Sequence, residues 1–157
     1  MIRNYTASAD NTIVNTFKEN LSTRATGSNA GRADILEVYS VYGRQTTSSQ
    51  ELSRVLVKFP IDQIASDRTS GKLPASGSVN FYLNLYDAET SKTVPNNMRL
   101  VVNPLFNDWQ EGVGLDLEGY RDLTKGSEGS NWMSASATAS WNSVSGGGDF
   151  LSGTSAD

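Results

Sequence analysis

A chain of 157 residues is the size of one ordinary domain, and its 37% hydrophobic against 19% charged residues suits a single core with many polar turns. A formal net charge of −4 disfavours nucleic acid as a partner, because the summed field repels phosphates. The absence of cysteine excludes disulfides and thiolate metal sites, and the absence of histidine removes the usual base of catalysis near neutral pH.

The N-terminal part of the chain predicts a short strand followed by a loop. Residues 12–14 form a β-branched stretch after the turn-forming pair Asp10-Asn11, which predicts a kinked edge strand. Residues 22–32 carry small and turn-forming side chains without an apolar period, which predicts a surface loop, either ordered or mobile. Neither a secretory signal nor a run near the roughly 20 apolar residues that span a bilayer is visible, so we expect no membrane partner.

The next part of the chain predicts two strands and one helical turn. Residues 35–42 carry apolar side chains on both faces, as an interior strand does. A strand over residues 53–59 is predicted to bury the face formed by Val55, Val57 and Phe59. Pro60 ends this strand because proline cannot donate to the sheet, and one helical turn is predicted over residues 61–64.

The clearest strand pattern covers residues 79–86. One face carries Val79, Phe81, Leu83 and Leu85 and is predicted to pack in the core, whereas the face with Tyr82 and Tyr86 is expected against a second chain. Residues 98–102 repeat the alternation, and residues 126–157 are predicted to be loop-rich with aromatic anchors. The pattern predicts an all-β fold, an antiparallel jelly-roll β-sandwich with long loops and at most one short helical turn, in a single domain over residues 1–157.

Acidic side chains cluster between residues 108 and 122, and two functions are weighed for them. Carboxylate and carbonyl oxygens suit Ca²⁺, so a structural calcium site is a candidate at Asp108, Glu111, Asp116 and Glu118, with a solvated acidic loop as the alternative. Glycoside hydrolysis by Glu111 and Asp116 is a remote alternative, because sequence spacing alone does not place two carboxyls across a sugar. We expect no enzyme activity, no catalytic residues and no other cofactor.

Three tryptophans, Trp109, Trp132 and Trp141, are the candidate glycan-binding residues, since an indole offers a flat face to a sugar ring. The alternative is that these side chains pack in the core or at contacts between subunits. Exposure of the rings distinguishes the two interpretations.

Six segments in chain order carry a resemblance to a known family: 9–13 (ADNTI), 27–29 (GSN), 33–38 (ADILEV), 52–60 (LSRVLVKFP), 74–79 (PASGSV) and 108–112 (DWQEG). In this order they resemble a family of virion structural proteins of tailed phages, many of them marine. They are also similar to a distant form of the carbohydrate-binding-module-like jelly roll called the DNRLRE domain. The resemblance implies a β jelly roll on a virus particle, made in the host cytoplasm, with no catalytic residues to carry over.

The sequence departs from this resemblance at its C-terminal end. Relatives continue past the Gly-Gly-Asp-aromatic turn, here residues 147–150, into further β segments, whereas this sequence stops at Asp157. We therefore expect either a longer protein or a sheet whose last strand comes from another chain, because an unpaired edge invites pairing.

The resemblance and the lack of reactive groups together predict a non-enzymatic virion structural protein, a capsid decoration or a tail-associated protein. It is expected to assemble through β-sandwich surfaces with copies of itself and with other virion proteins. The alternative is a glycan-binding module for host attachment, whose partner is a glycan of the host surface.

Overall fold

A computed structural model of the chain describes residues 2–43, 45–89, 96–115 and 128–151. Its regular elements are β1 (Ala9–Val14), β2 (Ser40–Tyr42), β3 (Gln50–Lys58), α1 (Ile61–Thr69) and a 3-10 turn (Ser76–Ser78). Two compact units are distinguished, one of Met1–Ser8 with Lys58–Leu100 and a larger one of Ala9–Val57 with Val101–Asp157. The regular structure is mostly strand, consistent with the predicted all-β class. A single domain over residues 1–157 stays a prediction.

The larger unit contains an antiparallel sheet in the order β1-β3-β2. β2 runs antiparallel to β3, with Ser40 opposite Leu52 and Tyr42 opposite Gln50. On the other side of β3, the backbone N–H of Asn15, just beyond β1, donates to the carbonyl oxygen of Leu52 at 3.1 Å. β1 is the terminal strand of this sheet, which confirms the edge position predicted for residues 12–14, although Ile13 also forms an isolated bridge with Asn29. The strand begins at Ala9 and includes the pair predicted as a turn.

The predicted orientation of β3 is wrong. Leu56 is buried in the core and Leu52 packs against that core, whereas Val55 and Val57, predicted to be buried, are only half-buried. The buried face is determined by the side chains that cover the sheet. These are Ile13, Ala135 and the three indoles of Trp109, Trp132 and Trp141, which form the core cluster with Leu56. These partners lie far away in sequence and favour the face that carries Leu52 and Leu56.

β2 also differs from its prediction. Only Ser40–Tyr42 form a strand, and it lies at an edge of the sheet instead of in its interior. The hydroxyl of Ser53 accepts a hydrogen bond from the Tyr39 N–H at 2.7 Å and donates to the Glu37 carbonyl at 2.8 Å. The Ser53 N–H still donates to the Tyr39 carbonyl at 3.1 Å, but beyond this bond it is the Ser53 side chain that binds the backbone of residues 37–39, and regular pairing does not extend toward Ile35, which is exposed.

The predicted strands over residues 79–86 and 98–102 are absent, since neither segment lies in a strand or a helix. Residues 128–151 contain turns and isolated bridges, among them Ser134 opposite Ser140 and Leu105 opposite Phe150. The described chain therefore places its regular sheet in residues 9–58.

The helix α1 follows Pro60 as predicted, but it spans nine residues instead of one turn. Asp67 near its C-terminal end is buried and accepts hydrogen bonds from the Tyr5 hydroxyl at 2.8 Å and the Gln63 amide at 3.0 Å. The Tyr5 hydrogen bond lowers the pKa of Asp67 against the opposing effect of burial, and Gln63 and Lys72 lower it further. These contacts supply the tertiary support that a short helix needs. Within the described residues, no helix has the length and apolar character required to cross a bilayer.

Asn11 on β1 is fully buried and connects the sheet to a distant part of the chain. Its amide group donates to the backbone carbonyl of Ser130 at 2.9 Å and to the Ser130 hydroxyl at 2.8 Å. Its side-chain carbonyl accepts the N–H of Ala30 at 3.2 Å. Because both Asn11 and Ser130 are inaccessible to water, these bonds satisfy polar groups that would otherwise be costly to bury.

Asn29 has a similar role in the loop over residues 22–32. Its side-chain carbonyl accepts the N–H of Gly114 at 2.9 Å, and its amide group donates to the carbonyl of Glu128 at 3.0 Å. Ala25 is buried as well. The loop is ordered, but the prediction that it lies on the surface is wrong for these side chains, because they fill the interior of the larger unit.

Candidate functional site

The most distinctive surface feature is the segment of residues 79–87, which we call the aromatic segment. Phe81, Tyr82 and Tyr86 are 62%, 81% and 94% exposed, and Leu83 and Leu85 are exposed as well. Five of the six side chains from residue 81 to residue 86 are therefore large, apolar or aromatic, and accessible to solvent. Monomeric soluble proteins rarely expose contiguous apolar patches of more than a few hundred Å².

The backbone of the aromatic segment is extended where it begins. The 3-10 turn ends at Ser78, and Val79 has φ −127° and ψ 129°, which are β values. From residue 80 to residue 87 the segment makes no hydrogen bond to any other residue that the structure describes. A strand-forming sequence with unmatched backbone donors and acceptors is a ready template for pairing with another strand.

Charge is absent from the aromatic segment until its end. Residues 79–86 contain no acidic or basic side chain, and the first charge is Asp87. Exposed edges in soluble proteins are usually protected by charged side chains or proline, which oppose association. Here that protection is missing, so the segment is chemically suited to contact another protein surface.

A second exposed apolar stretch follows in the chain. Met98, Leu100, Val101 and Val102 are all more than 40% exposed, with values from 47% to 78%. The division between the two compact units falls between Leu100 and Val101. Like the aromatic segment, this stretch has a strand-like pattern of apolar residues but does not lie in a strand.

The three indoles proposed to bind glycan are buried. Trp109, Trp132 and Trp141 are each less than 10% exposed and belong to the core cluster of the larger unit. The ring N–H of Trp132 donates to the Ser145 carbonyl at 3.0 Å, and that of Trp141 to the Asn131 carbonyl at 2.9 Å. The core alternative therefore describes their placement, and none of the three offers a free ring face for stacking on a sugar.

Arg54 closes the core beside Trp132. Its guanidinium carbon lies 4.8 Å from the ring centroid of Trp132 and 4.8 Å from that of Phe150. The guanidinium also donates to the carbonyl of Gly147, and burial lowers the pKa of the arginine. The cation is thus enclosed between aromatic faces and a glycine turn, an arrangement that stabilises the fold.

The turn at residues 146–149 is organised by a carboxylate. Asp149 accepts the backbone N–H groups of Asn142 and Ser143 at 2.8 Å each, and the amide of Asn107 at 2.6 Å. Burial opposes ionisation of Asp149, but these three donors outweigh it and hold its pKa below the ordinary value. The glycines at 146, 147 and 148 have φ of +68°, +83° and +102°, so the turn needs them.

The candidate calcium site is described only in part. Glu111 accepts the backbone N–H of Asp10 at 2.9 Å, and Asp108 accepts the N–H of Trp109 at 2.9 Å. Asp116 and Glu118 lie outside the described residues. In the described ranges no group of three acidic side chains is placed to hold a metal ion.

Glu111 does affect one neighbour. Burial raises the pKa of Asp10, and the negative charge of Glu111 raises it further. The pair proposed for glycoside hydrolysis, Glu111 and Asp116, includes a residue outside the described ranges and stays untested.

A cavity of about 310 Å³ opens in the larger unit beside β1. Its lining includes Thr12, Asn29, Arg32, Asp34 and Glu37. Asn29 is already engaged by Gly114 and Glu128, and the hydroxyl of Thr12 accepts the N–H of Glu37 at 3.3 Å. The side chains of Asn29 and Thr12 are thus engaged by the protein itself, whereas no side-chain hydrogen bond is seen for Arg32, Asp34 or Glu37 among the described residues.

The sequence pattern found the aromatic segment but assigned its faces incorrectly. Phe81, Leu83 and Leu85 were expected in the core and are exposed instead, together with Tyr82 and Tyr86. Alternation shows that a strand has two faces, but it does not show what covers them. The sequence did contain a signal for this exposure: large aromatic side chains occur on both faces of the segment, and no charged side chain occurs on either.

Comparisons with known proteins returned no relationship. The chain matches no protein-family model, no curated protein and no solved structure.

Proposed function

We propose that the chain is a non-enzymatic structural protein of a phage virion, a capsid decoration or a tail-associated protein, that works by assembly. The observation that carries the proposal is the exposure of the aromatic segment, in which Tyr82 and Tyr86 are 81% and 94% accessible. Apolar side chains of this size gain free energy when they leave water, so the segment favours a state in which another surface covers it.

The exposed area of the aromatic segment amounts to a substantial part of a protein interface. Fully buried aromatic side chains remove about 150–250 Å² each from water, so Phe81, Tyr82 and Tyr86 at their observed exposures offer roughly 350–600 Å². A standard interface buries about 800 Å² per partner. If they were covered completely, these three rings would supply roughly half to three quarters of that area, and the neighbouring leucines add to it.

The resemblance to virion structural proteins of tailed phages supports the location. Multiple copies on a particle raise the local concentration, which allows weak individual contacts to hold an assembly together. We propose that the sheet of β1, β3 and β2 belongs to a jelly-roll sandwich, and that the aromatic segment becomes a strand of such a fold when the assembly forms.

Particle fractionation tests the proposal. Phage particles carrying the wild-type chain, Tyr86→Glu or Val144→Glu are purified on a density gradient, and the chain is quantified in the particle band. Val144 is 97% exposed and lies outside the aromatic segment, which makes it a matched control. We expect wild type and V144E in the band and at least a tenfold loss of Y86E. A wild-type chain that never co-sediments with intact particles would refute the proposal.

Glycan binding remains an alternative prediction without an observation that favours it, because the three candidate indoles are buried. A glycan array and a calcium titration by calorimetry, both on the folded chain, would test it directly. Saturable binding of one glycan class would revive the host-attachment interpretation, and flat responses in both measurements would remove it.

A further inference from the structure

We propose that the aromatic segment pairs with the same segment of a second copy of this chain, as two antiparallel strands related by a two-fold axis at Tyr82. The inference rests on the proposed function and names the partner: an identical chain. It concerns residues 78–86 and predicts which side chains meet across the axis.

The register follows from the order of side chains. With Tyr82 on the axis, Val79 lies opposite Leu85 and Phe81 opposite Leu83, so all four apolar side chains of one face meet apolar partners. This face becomes a continuous apolar strip over both chains. A two-fold interface of this kind is self-complementary by construction.

The opposite face also pairs well in this register. Asn80 lies opposite Asn84, where two amides can exchange hydrogen bonds, and Tyr82 lies opposite its own copy. Ser78 lies opposite Tyr86 at the end of the paired region. No charged side chain enters the paired region, because residues 78–86 contain none.

Neighbouring registers either shorten the paired region or oppose apolar side chains to carboxylates. An axis at Phe81 sets Leu85 opposite Gly77 and Tyr86 opposite Ser76, which belong to the 3-10 turn and are not extended. An axis at Asn84 places Phe81 opposite Asp87 and Val79 opposite Glu89, which sets two apolar side chains against carboxylates. An axis at Leu83 places Val79 opposite Asp87. An axis between two residues pairs side chains of unlike faces, because the side-chain period of a strand is two.

An identical chain suits the segment for one further reason. A neutral segment imposes no like-charge repulsion on its own copy, whereas a charged partner would find no complementary group in residues 79–86. Strand pairing covers at most the roughly 350–600 Å² per copy that the exposed rings offer, which is less than the ~800 Å² of a standard interface. A weak dimer in solution that strengthens on a crowded particle is the expected behaviour.

Disulfide trapping tests the register, and the natural absence of cysteine provides a clean background. Opposed residues of an antiparallel pair have Cβ atoms about 4.5–5.5 Å apart, close enough for a disulfide after small adjustment. We expect oxidised Tyr82→Cys to form dimers, and Asn80→Cys to cross-link with Asn84→Cys when the two are mixed. Asn80→Cys alone and Asn84→Cys alone should stay monomeric, because each lies far from its own copy.

Sedimentation velocity over a concentration series provides a second measurement without cysteine. We expect a wild-type dimer whose dissociation constant rises at least tenfold in Tyr82→Asp, where two like charges face each other, and is unchanged in Val144→Asp. Circular dichroism confirms that each variant is folded. Since Tyr82 is 81% exposed, its replacement leaves the core intact.

The outcomes separate this inference from the proposed function. A chain that co-sediments with particles but remains monomeric, and whose cysteine variants do not cross-link, overturns the self-pairing while the virion role stands. A chain that dimerises in the predicted register but is absent from particles keeps the self-pairing and refutes the virion role. Cross-linking that is equally efficient at residues 80, 82 and 84 overturns the register.

Discussion

The replacement Asn11→Leu tests whether the buried amide of β1 organises the larger unit. Asn11 is completely buried, and its side chain forms three hydrogen bonds, two to Ser130 and one to the N–H of Ala30. Leucine has the same branched shape and the same number of side-chain heavy atoms, so the substitution removes the hydrogen bonds and replaces the amide by somewhat larger methyl groups. It leaves the buried carbonyl of Ser130 without this donor.

The size of the effect follows from these partners. A buried polar group left without a partner costs about 1–3 kcal/mol. Since Ser130 is inaccessible to water and loses contacts at both its carbonyl and its hydroxyl, we expect N11L to lower the free energy of unfolding by about 2–4 kcal/mol. For a chain of this length, that loss corresponds to a fall in the melting temperature of roughly 5–15 °C.

Urea denaturation followed by tryptophan fluorescence is the appropriate assay, because the three buried indoles report on the same core as Ile13. The matched control is Asn142→Leu, which changes an exposed asparagine whose backbone N–H bond to Asp149 is retained. We expect the control to stay within about 0.5 kcal/mol of wild type. If N11L and N142L unfold at the same urea concentration, the argument that Asn11 is a structural connector is refuted.

Two further predictions concern a glycine contact and a carboxylate. Gly112→Ala should lower the free energy of unfolding by about 1–3 kcal/mol, because the added Cβ would overlap the side chain of Asn29. Gly77→Ala is the control and should be nearly neutral, because no atom lies within 4 Å of its added Cβ. Equal urea midpoints for the two variants would contradict this prediction. Tyr5→Phe should raise the pKa of Asp67 toward its ordinary value of 3.8. A lowered pKa in the folded state stabilises that state at pH values above the unfolded-state pKa, and this stabilisation is lost as the pH falls. We therefore expect wild type to melt at a higher temperature than Y5F at pH 7, and we expect the difference to shrink at pH 2.5. A gap independent of pH would count against this role of the tyrosine.

Local pattern was sufficient where the determining contacts are local. The strand before Pro60 and the helix after it follow from β-branched alternation and from the missing N–H of proline, and both occur in the structure as β3 and α1. The length of α1 depended instead on Tyr5, which contacts Asp67 from 62 residues away. Nothing in residues 61–64 carries that information.

Long-range contacts also explain the remaining differences. Sequence alternation in β3 is compatible with burial of either face, and the indoles of residues 109–141 select the face with Leu56. The composition of residues 22–32 indicates a surface loop, because the partners that bury Asn29, Gly114 and Glu128, lie far away in the sequence. For the aromatic segment, the same alternation describes a core strand and an exposed, unpaired one, and residues 79–86 alone do not distinguish the two.

The pairing of distant segments in the larger unit has a consequence for biogenesis. The core cluster around Ile13 and Leu56 is complete only after Trp132 and Trp141 have been synthesised, and Asn11 lies 119 residues before its partner Ser130. Contacts of such separation slow folding, because a long loop must close before they form. The nascent chain therefore completes its core in a late step, and a fragment that ends before residue 141 lacks one of the three indoles of the core cluster.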